Sequence, residues 1–389
     1  MPIKNRFAEL QGQIAEWRRD IHAHPELRFE EHRTGALVAD RLRAFGCDEV
    51  VTGVGRTGVV GVIRGRSDTK GRVIAFRADM DALPIVEATG LPHASTERGK
   101  MHACGHDGHT AMLLGAAQYL AETRNFDGTV VLLFQPAEEG GGGAKAMLED
   151  GVMDRWRVDE VYGLHNWPGL PAGEFALREG PLMAATDFFE IEVTGRGGHG
   201  AMPHQTVDAT LAGSAVVMAL QQVVARNVDP LQPAVLSVCS LRTDTDAHNV
   251  IAGIARIKGT VRYLDPGVQD LIRTRIKEVA EATAQAHGAT ARLDYMPCVP
   301  ATINTPDMAA HALAAAQAVS PGVRTDIAPV MGGEDFADML GQRPGAFVFL
   351  GNGASAELHN PAYEFNDDAI PAGCSWFATL AETRMPLTA

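Results

Sequence analysis

The 389-residue sequence predicts an α/β fold, in which a mostly parallel sheet flanked by helices is interrupted by an inserted α+β domain. Three observations support this. Apolar runs typical of buried strands alternate with helical patterns in the first half. From about Asp187 the order of elements becomes β-α-β-β-α-β, and afterwards the α/β pattern returns. We therefore predict one domain in two parts, 1–186 and 299–389, with an inserted domain at 187–298.

The first α/β part contains three short apolar runs that predict buried strands, at 72–78, 129–134 and 160–164. The apolar spacing and the Ala and Leu content at 108–124 predict a helix between the first two strands. A glycine-rich turn opens a further short helix within 140–151. Helices that separate successive strands favour a parallel sheet with helices on both faces.

The inserted segment has the element order of a ferredoxin-like, or split β-α-β, unit. Its predicted elements are a strand from Asp187, a helix at 206–226, strands at 234–241 and 255–264, a helix at 267–288 and a strand at 289–297. After it, the predicted elements are a helix at 305–319, a strand at 345–351 and a last helix near 374–385. The second part of the α/β domain is thus formed by the C-terminal segment.

The composition excludes some functions. Lys and Arg total 34 and Asp and Glu total 48, a net charge of 34 − 48 = −14, which argues against nucleic acid or an anionic membrane as a partner. Five cysteines, an odd number and widely spaced, favour a reducing compartment. We find no apolar signal-peptide region and no apolar stretch of about 18 residues. These features predict a cytoplasmic protein.

Potential metal ligands or carboxylates follow each predicted strand of the α/β domain. The stretch "MHACGHDGHT" at 101–110 adds a Cys-x-His pair next to glycine. The carboxyl ends of parallel strands meet at one edge of a sheet, so these groups are expected to converge. Cys, His and Glu are ligands typical of zinc and its first-row neighbours. The residues concerned are Asp79, Asp81, Cys104, His106, Glu138, Glu139, His165 and His359.

Five such ligands and a water exceed the needs of one tetrahedral ion and suit two ions that share a bridging ligand. The neighbouring Glu138 and Glu139 then have separate tasks. One carboxylate would bind metal, and the other would take a proton from the attacking water as a general base.

Several stretches together resemble a known family, the hippurate hydrolase, N-acyl-amino-acid and auxin-conjugate amidohydrolases of the dinuclear metal aminoacylase and carboxypeptidase superfamily. The stretches are "RRDIHAHPEL", "FRADMDALP", "MHACGHDGHT", "FQPAEEGGGGAKAML", "GLHNWP", "GRGGHGAMPH", "HNVIAGIARIKGTVR" and "MGGEDFA". The resemblance implies a metal-dependent amidohydrolase that cleaves N-acyl amino acids. A dipeptidase or carboxypeptidase of the same superfamily is the alternative.

The resemblance also implies roles for individual residues. Glu138 would be the general base, and Asp81 would orient a ligand. Two divalent ions (Zn, Mn, Ni or Co) would be bound in each subunit. Their ligands would be Cys104 as the bridge, His106 and His165 on one ion, and Glu139 and His359 on the other.

By the same resemblance, the inserted domain is a dimerisation or lid domain and the protein is a homodimer. His199 would reach the neighbouring subunit's active site and help to hold the carbonyl oxygen of the substrate. Asn249 and Arg262 would meet the substrate carboxylate, which the fork of an arginine suits. Gly333 would lie in a loop that closely approaches the substrate.

Three other classes of protein remain as alternatives. The G-x-G-x-x-G matches at 53–58 and 195–200 are typical of a dinucleotide-binding oxidoreductase, but no helix opens directly after either of them. A hydrolase with Cys104 as the nucleophile and His106 as its base would leave the other candidate ligands without a task. A non-catalytic metal-binding protein would not need Glu138 beside a complete set of ligands.

Overall fold

Within residues 3–387, which the computed structural model describes, eight strands form one sheet and four strands form another. The larger sheet belongs to unit 1, which comprises the described residues up to Leu182, Ile303–Ala328, and the described residues from Asp335 onward. The smaller sheet belongs to unit 2, which comprises Met183–Thr302 and Pro329–Glu334. The predicted domain limits at 187 and 298 remain a prediction.

The helices that flank these sheets are of two kinds, long packing helices and short connecting ones. They are α1 Ile3–Ala23, α2 His32–Phe45, α3 His106–Thr123, α4 Gly143–Glu149, α5 Val152–Arg155, α6 Ala209–Asn227, α7 Pro266–Ala286, α8 Pro306–Val319, α9 Phe336–Leu340 and α10 Ile370–Arg384. The predicted helices are found within a few residues of their expected positions.

The strands include all of the predicted buried runs. They are β1 Glu49–Val54, β2 Gly58–Arg64, β3 Val73–Asp79, β4 Thr129–Gln135, β5 Glu160–Pro168, β6 Phe175–Ala176, β7 Gly180–Met183, β8 Ala185–Thr194, β9 Gly198–His199, β10 Ala234–Thr243, β11 Val250–Ile251, β12 Ile254–Tyr263, β13 Thr290–Val299, β14 Thr302–Asn304, β15 Val323–Arg324 and β16 Gly345–Gly353. β5 extends beyond the predicted segment, so that His165 lies within the strand.

The sheet of unit 1 has the order β1-β2-β4-β3-β5-β16-β6-β15. Its centre, β4-β3-β5-β16, is parallel, whereas β1–β2, β2–β4 and β16–β6 pair antiparallel. Every residue of β3 is buried, as expected for a parallel strand covered on both faces. The predicted α/β fold with a parallel core is therefore confirmed, and the antiparallel pairs extend it on either side.

Unit 2 has the predicted β-α-β-β-α-β order, with an antiparallel sheet of order β10-β12-β8-β13. Apolar residues alternate along β8, where Phe189, Ile191 and Val193 are buried among residues of α6 and α7. By length and composition, α6 is apolar enough to cross a membrane, and a third of its most apolar 18-residue segment is buried. A single helix of this kind is weak evidence for a membrane span. α6 also contributes Val216 to the core of unit 2.

Gly259 in β12 provides a test of packing in unit 2. A Cβ at this position would lie 2.2 Å from Cζ of the buried Phe189 and 2.4 Å from the carbonyl oxygen of Ser237. We expect Gly259→Ala to destabilise the protein by about 1–3 kcal/mol, because neither the ring nor the backbone can move freely. Gly12→Ala is the control, since nothing lies within 4 Å of a Cβ at that helical position. Gly12→Ala should stabilise the protein by up to about 1 kcal/mol. Equal midpoints for the two variants in thermal denaturation would contradict the packing argument.

Candidate metal centre

The predicted metal ligands converge at the carboxyl edge of the parallel strands of unit 1. We call Cys104, His106, Glu139, His165 and His359 the ligand cluster. Cys104 and His106 stand at the start of α3, Glu139 lies in the loop after β4, His165 lies in β5, and His359 follows β16. The convergence arises because α3 and the loops after neighbouring parallel strands all begin at this edge.

Two groups of potential ligand atoms share Cys104. In one group, atoms of Cys104, His106 and His165 lie within 4.8 Å of one another, and in the other, those of Cys104, Glu139 and His359 do. The Cys104 sulfur is 3.4 Å from Nε2 of His165, and Nε2 of His359 is 3.0 Å from Oε1 of Glu139. This is the grouping that the sequence resemblance implied for two ions with a bridging cysteine.

The histidines of the first group turn the same nitrogen towards the cluster. Nδ1 of His106 donates to the carbonyl oxygen of Asp81 at 2.9 Å, and Nδ1 of His165 donates to that of Asn166 at 2.7 Å. Among the described residues, buried Nε2 of His106 has no hydrogen-bond partner, although it lies 3.6 Å from Oδ2 of Asp79. A buried ring nitrogen that makes no hydrogen bond, near a thiol and carboxylates, fits a divalent metal ion.

The electrostatics of the cluster also favour a cation. Burial raises the pKa of the Cys104 thiol well above its ordinary value, and the charges of Glu139, Glu138 and Asp79 raise it further. Burial alone would lower the pKa of His106, but Asp79 and Asp81 outweigh it and raise that pKa to about 10. Without metal, protons therefore hold these positions, and a divalent ion would displace them on binding.

Asp81 connects the two glutamates to His106. Its Oδ1 accepts the backbone N–H of Glu138 at 3.0 Å and lies 3.3 Å from Nδ1 of His106. Its Oδ2 accepts the backbone N–H of Glu139 at 2.9 Å. One buried carboxylate thus fixes the direction of a histidine and of both glutamates.

His109 belongs to a third group of potential ligand atoms, with Asp79 and His106, but both of its ring nitrogens have hydrogen-bond partners. Its Nδ1 lies 2.6 Å from Oδ1 of Asp79, and its Nε2 accepts the backbone N–H of Asn166 at 3.0 Å. Burial raises the pKa of Asp79, but Arg77 and the histidines outweigh it and hold that pKa well below its usual range. Arg77 is itself buried and also bonds to Asp335 at 3.1 Å.

The sequence analysis did not identify the supports of the Cys104 backbone. Nδ2 of Asn166 donates to the carbonyl oxygen of Cys104 at 2.6 Å, and Oδ1 of Asn166 accepts from the Tyr363 hydroxyl. Gly105 has φ +85°, and a Cβ there would lie 2.2 Å from Nδ2 of Asn166. The glycine after Cys104 was the available signal, since it marks a close approach that no side chain permits.

The four residues predicted to contact substrate lie in unit 2 as two neighbouring pairs. His199 and Asn249 meet where β9 pairs with β11, and the carbonyl oxygen of Asn249 accepts the N–H of Gly200 at 2.8 Å. A Cβ on Gly333 would lie 3.3 Å from Nη1 of Arg262. His199 is exposed, and Arg262 is half-buried.

A family model described as peptidase family M20/M25/M40 matches residues 75–383. The chain belongs to this family. The resemblance stated from the sequence is therefore confirmed, and so is the prediction of a hydrolase that acts on amide bonds. The matched residues include the whole ligand cluster, which is therefore the candidate active site.

Several M20 relatives match almost the whole chain. It is 43% identical to a hippurate hydrolase of Campylobacter jejuni, over 98% of this chain and 99% of that protein. It is 40% identical to thermostable carboxypeptidase 1 of Saccharolobus solfataricus, over 97% of each. A solved Bacillus subtilis structure, described as a dinuclear metal binding peptidase from the M20 family, has a TM-score of 0.85 and 36% identity, covering 97% of this chain and 99% of that one.

A buried charged network lies behind the start of α3. Nδ1 of His22 is 2.9 Å from Oδ2 of Asp107, its Nε2 is 3.4 Å from Oε1 of Glu87, and Arg18 is 3.5 Å from Asp107. Burial lowers the pKa of His22, but Asp107 and Glu87 outweigh it and raise the pKa to about 9. His22 is therefore charged in the folded protein at neutral pH.

This charge predicts a pH-dependent stability. The pKa of His22 is 6.5 without these partners and about 9 in the folded protein. The charge of His22 therefore contributes fully to stability below pH 6.5, and this contribution is lost as the pH rises through 9. At about 1.4 kcal/mol per pK unit, the loss is about 3 kcal/mol. We expect the difference in free energy of unfolding between wild type and His22→Gln to shrink by that amount as the pH is raised from below 6.5 to above 9. Denaturation with guanidinium chloride at the two pH values measures this difference, and a constant difference would mean that His22 is neutral in the fold.

Proposed function

We propose that this protein hydrolyses the amide bond of N-acyl amino acids, such as hippurate-like, N-acetyl or aryl-acyl amino acids, to a carboxylic acid and a free amino acid. The observation that carries the proposal is the two ligand groups that share Cys104, with Glu138 beside Glu139. The relative named hippurate hydrolase, similar over nearly the whole chain, supports this class of substrate. The five widely spaced cysteines, which favour a reducing compartment, support a cytoplasmic location.

The residues present fit two divalent ions drawn from Zn, Mn, Ni and Co. His106 and His165 would hold one ion, Glu139 and His359 the other, and the Cys104 thiolate would bridge them. Bound there, the ions supply a water that is nucleophilic at neutral pH and polarise the carbonyl of the substrate amide. Asp81 would keep His106 oriented towards its ion.

Glu138 would carry the proton through the reaction. Its Oε1 accepts the backbone N–H of Asp335 at 3.4 Å, and its backbone N–H donates to Asp81, so both the side chain and the backbone of Glu138 are held in place. As the C–O bond to the carbonyl forms, Glu138 takes a proton from the attacking water. As the C–N bond breaks, it gives that proton to the leaving amine.

Residues of unit 2 would hold the rest of the substrate. His199 would donate to the carbonyl oxygen as negative charge develops there. Arg262 would bind the carboxylate of the amino acid. Asn249 lies beside His199, and Gly333 lies beside Arg262. A Cβ on Gly333 would lie 2.3 Å from Oγ1 of Thr186, so a side chain there would collide with Thr186.

The variant Glu138→Gln tests the division of tasks between the two glutamates. We expect it to retain the metal content of the wild type and to lose kcat by about 10²–10⁴, because it removes the base and no ligand. Glu139→Gln is the matched control and should lose metal. Metal analysis and turnover of a panel of N-acyl amino acids measure both effects. Metal loss in Glu138→Gln would reverse the assignment, and an acyl-enzyme on Cys104 in mass spectrometry would contradict the mechanism.

A second candidate function is supported by the relative named thermostable carboxypeptidase 1. In this second function, the same ligand cluster would serve to hydrolyse a dipeptide or to release the C-terminal residue of a short peptide. Adding free dipeptides and N-blocked dipeptides to the panel separates the two candidates, since only the second predicts a higher kcat/KM for the peptides.

We further propose that the enzyme works as a homodimer in which His199 serves the site of the partner subunit. The support is that His199 is exposed on a short two-stranded sheet of unit 2, whereas the ligand cluster belongs entirely to unit 1. An imidazole presented to solvent in this way is available to a second chain.

Mixing two inactive variants tests this arrangement. In a mixed dimer of His199→Ala and Glu138→Gln, one site combines both substitutions and the other is entirely wild type. Random exchange should therefore restore up to about a quarter of the wild-type activity, which a continuous assay would follow after mixing. Exchange demonstrated by native mass spectrometry without any recovery would place His199 in its own subunit's site or outside catalysis.

A further inference from the structure

Glu31 is a buried carboxylate between α1 and α2 that the proposed mechanism does not use. Its side chain is fully buried, although it belongs to the charged stretch "FEEHR". Glu31 is the N-cap residue of α2, yet its side chain makes no capping hydrogen bond. Glu26 performs that task instead, because its carboxylate accepts the backbone N–H groups of Arg33 at 2.9 Å and Thr34 at 2.8 Å.

The Glu31 carboxylate joins three separate segments of unit 1. Its Oε1 accepts the backbone N–H of Phe29 at 3.0 Å and that of Ala137 at 2.9 Å. Its Oε2 accepts the hydroxyl of Thr57. Ala137 is the residue directly before Glu138, in what we call the acidic loop, residues 136–142 between β4 and α4.

The backbone is strained at each of these junctions. Phe29 has φ +61°, Ala137 has φ +52°, and Arg56, next to Thr57, has φ +79°. None is a glycine, and side chains disfavour this left-handed region. Such conformations persist only where the surroundings hold them, and they concentrate at functional sites. All three strained turns adjoin a group that bonds to Glu31.

We propose that Glu31 is a positioning residue for the reaction, whose carboxylate holds the acidic loop in the conformation that places Glu139 in the ligand cluster and Glu138 beside it. The turn at Ala137 sets the direction in which the next two side chains leave the backbone. Asp81 accepts the N–H groups of Glu138 and Glu139, and Glu31 accepts that of Ala137, so three successive N–H groups of the loop are held by two carboxylates. The role of the loop in turnover rests on the proposed function.

Neighbouring groups reinforce this support. Nη1 of Arg28 donates to the carbonyl oxygen of Glu139 at 2.8 Å. Asp335 accepts the N–H of Ala144 at 3.0 Å, just beyond the loop. The closing turn is tight, since a Cβ on Gly143 would lie 1.6 Å from the carbonyl oxygen of Pro136.

The test compares three variants of the whole enzyme loaded with metal. Glu31→Ala removes both acceptor oxygens. Glu31→Gln keeps the shape, because its carbonyl oxygen can accept both N–H groups while its amide donates to the Thr57 hydroxyl. Glu26→Ala is the matched control. It removes a carboxylate of the same segment that also accepts two backbone N–H groups, but those groups belong to α2 and not to the acidic loop. Hydrogen exchange, metal content, kcat, KM and the melting temperature are measured for each.

For Glu31→Ala we expect faster hydrogen exchange in residues 136–143 and a kcat lower by about 10- to 100-fold, with KM nearly unchanged, as for a misplaced catalytic group. Glu31→Gln should recover most of both. Glu26→Ala should lower the melting temperature while leaving exchange in the loop and kcat at wild-type values. If Glu31→Ala does not fold, Thr57→Val removes one of the three bonds and should show a smaller change in the same direction.

Two results would overturn the proposal. One is wild-type exchange in the acidic loop of Glu31→Ala. The other is a loss of kcat that follows the melting temperature equally in Glu31→Ala and Glu26→Ala, because a purely structural role predicts that. Failure of the proposed function is distinguishable, since it would appear as no turnover of any panel substrate by the wild type, while hydrogen exchange and metal content still report on Glu31.

Discussion

The concentration of negative charge at the carboxyl edge of β4, β3, β5 and β16 is the constraint on which the rest of the site depends. Asp79, Asp81, Glu138 and Glu139 converge there beside a buried thiol. Buried anions are stable only when they are paired or coordinated. Arg77 and His109 donate hydrogen bonds to Asp79, whereas Nε2 of His106 makes no hydrogen bond to the described residues and lies 3.6 Å from Asp79. The fold thus neutralises part of its charge internally and leaves the remainder for metal.

This constraint explains why so much of the surrounding structure consists of carboxylates bonded to backbone N–H groups. Asp81 fixes Glu138 and Glu139, Asp335 fixes the start of α4, and Glu31 fixes the turn before Glu138. A backbone N–H has a fixed position, so a carboxylate bonded to it orients a loop more rigidly than a flexible surface ion pair would. The acidic loop can then hold two neighbouring glutamates in different directions, as separate roles for a base and a ligand require.

The most local features of the protein were predictable from sequence. The apolar runs at 72–78 and 129–134 predicted buried strands because only a covered parallel sheet accommodates such continuous hydrophobicity. The rule that ligands follow strand ends then predicted that Glu139 and His165 lie at one edge of the sheet, whereas Cys104 came from the separate stretch at 101–110. The sequence did not identify β1, whose residues are mostly half-exposed and lack a continuous apolar run. Nor did it identify the antiparallel pairing on either side of the parallel core, since pairing direction depends on partners distant along the chain.

By itself, the sequence determined the parallel core, the β-α-β-β-α-β unit and the family, and it predicted the candidate ligands, because hydrophobic period, turn residues and the chemistry of Cys, His and Glu are properties of short segments. Only the tertiary structure decided that Asp81 orients three groups at once, that Asn166 supports Cys104, and that Glu31 is buried against the acidic loop. These partners are separated by up to 106 residues, as for Glu31 and Ala137. A hydrogen bond between groups so far apart depends on how the elements pack, which no local pattern encodes.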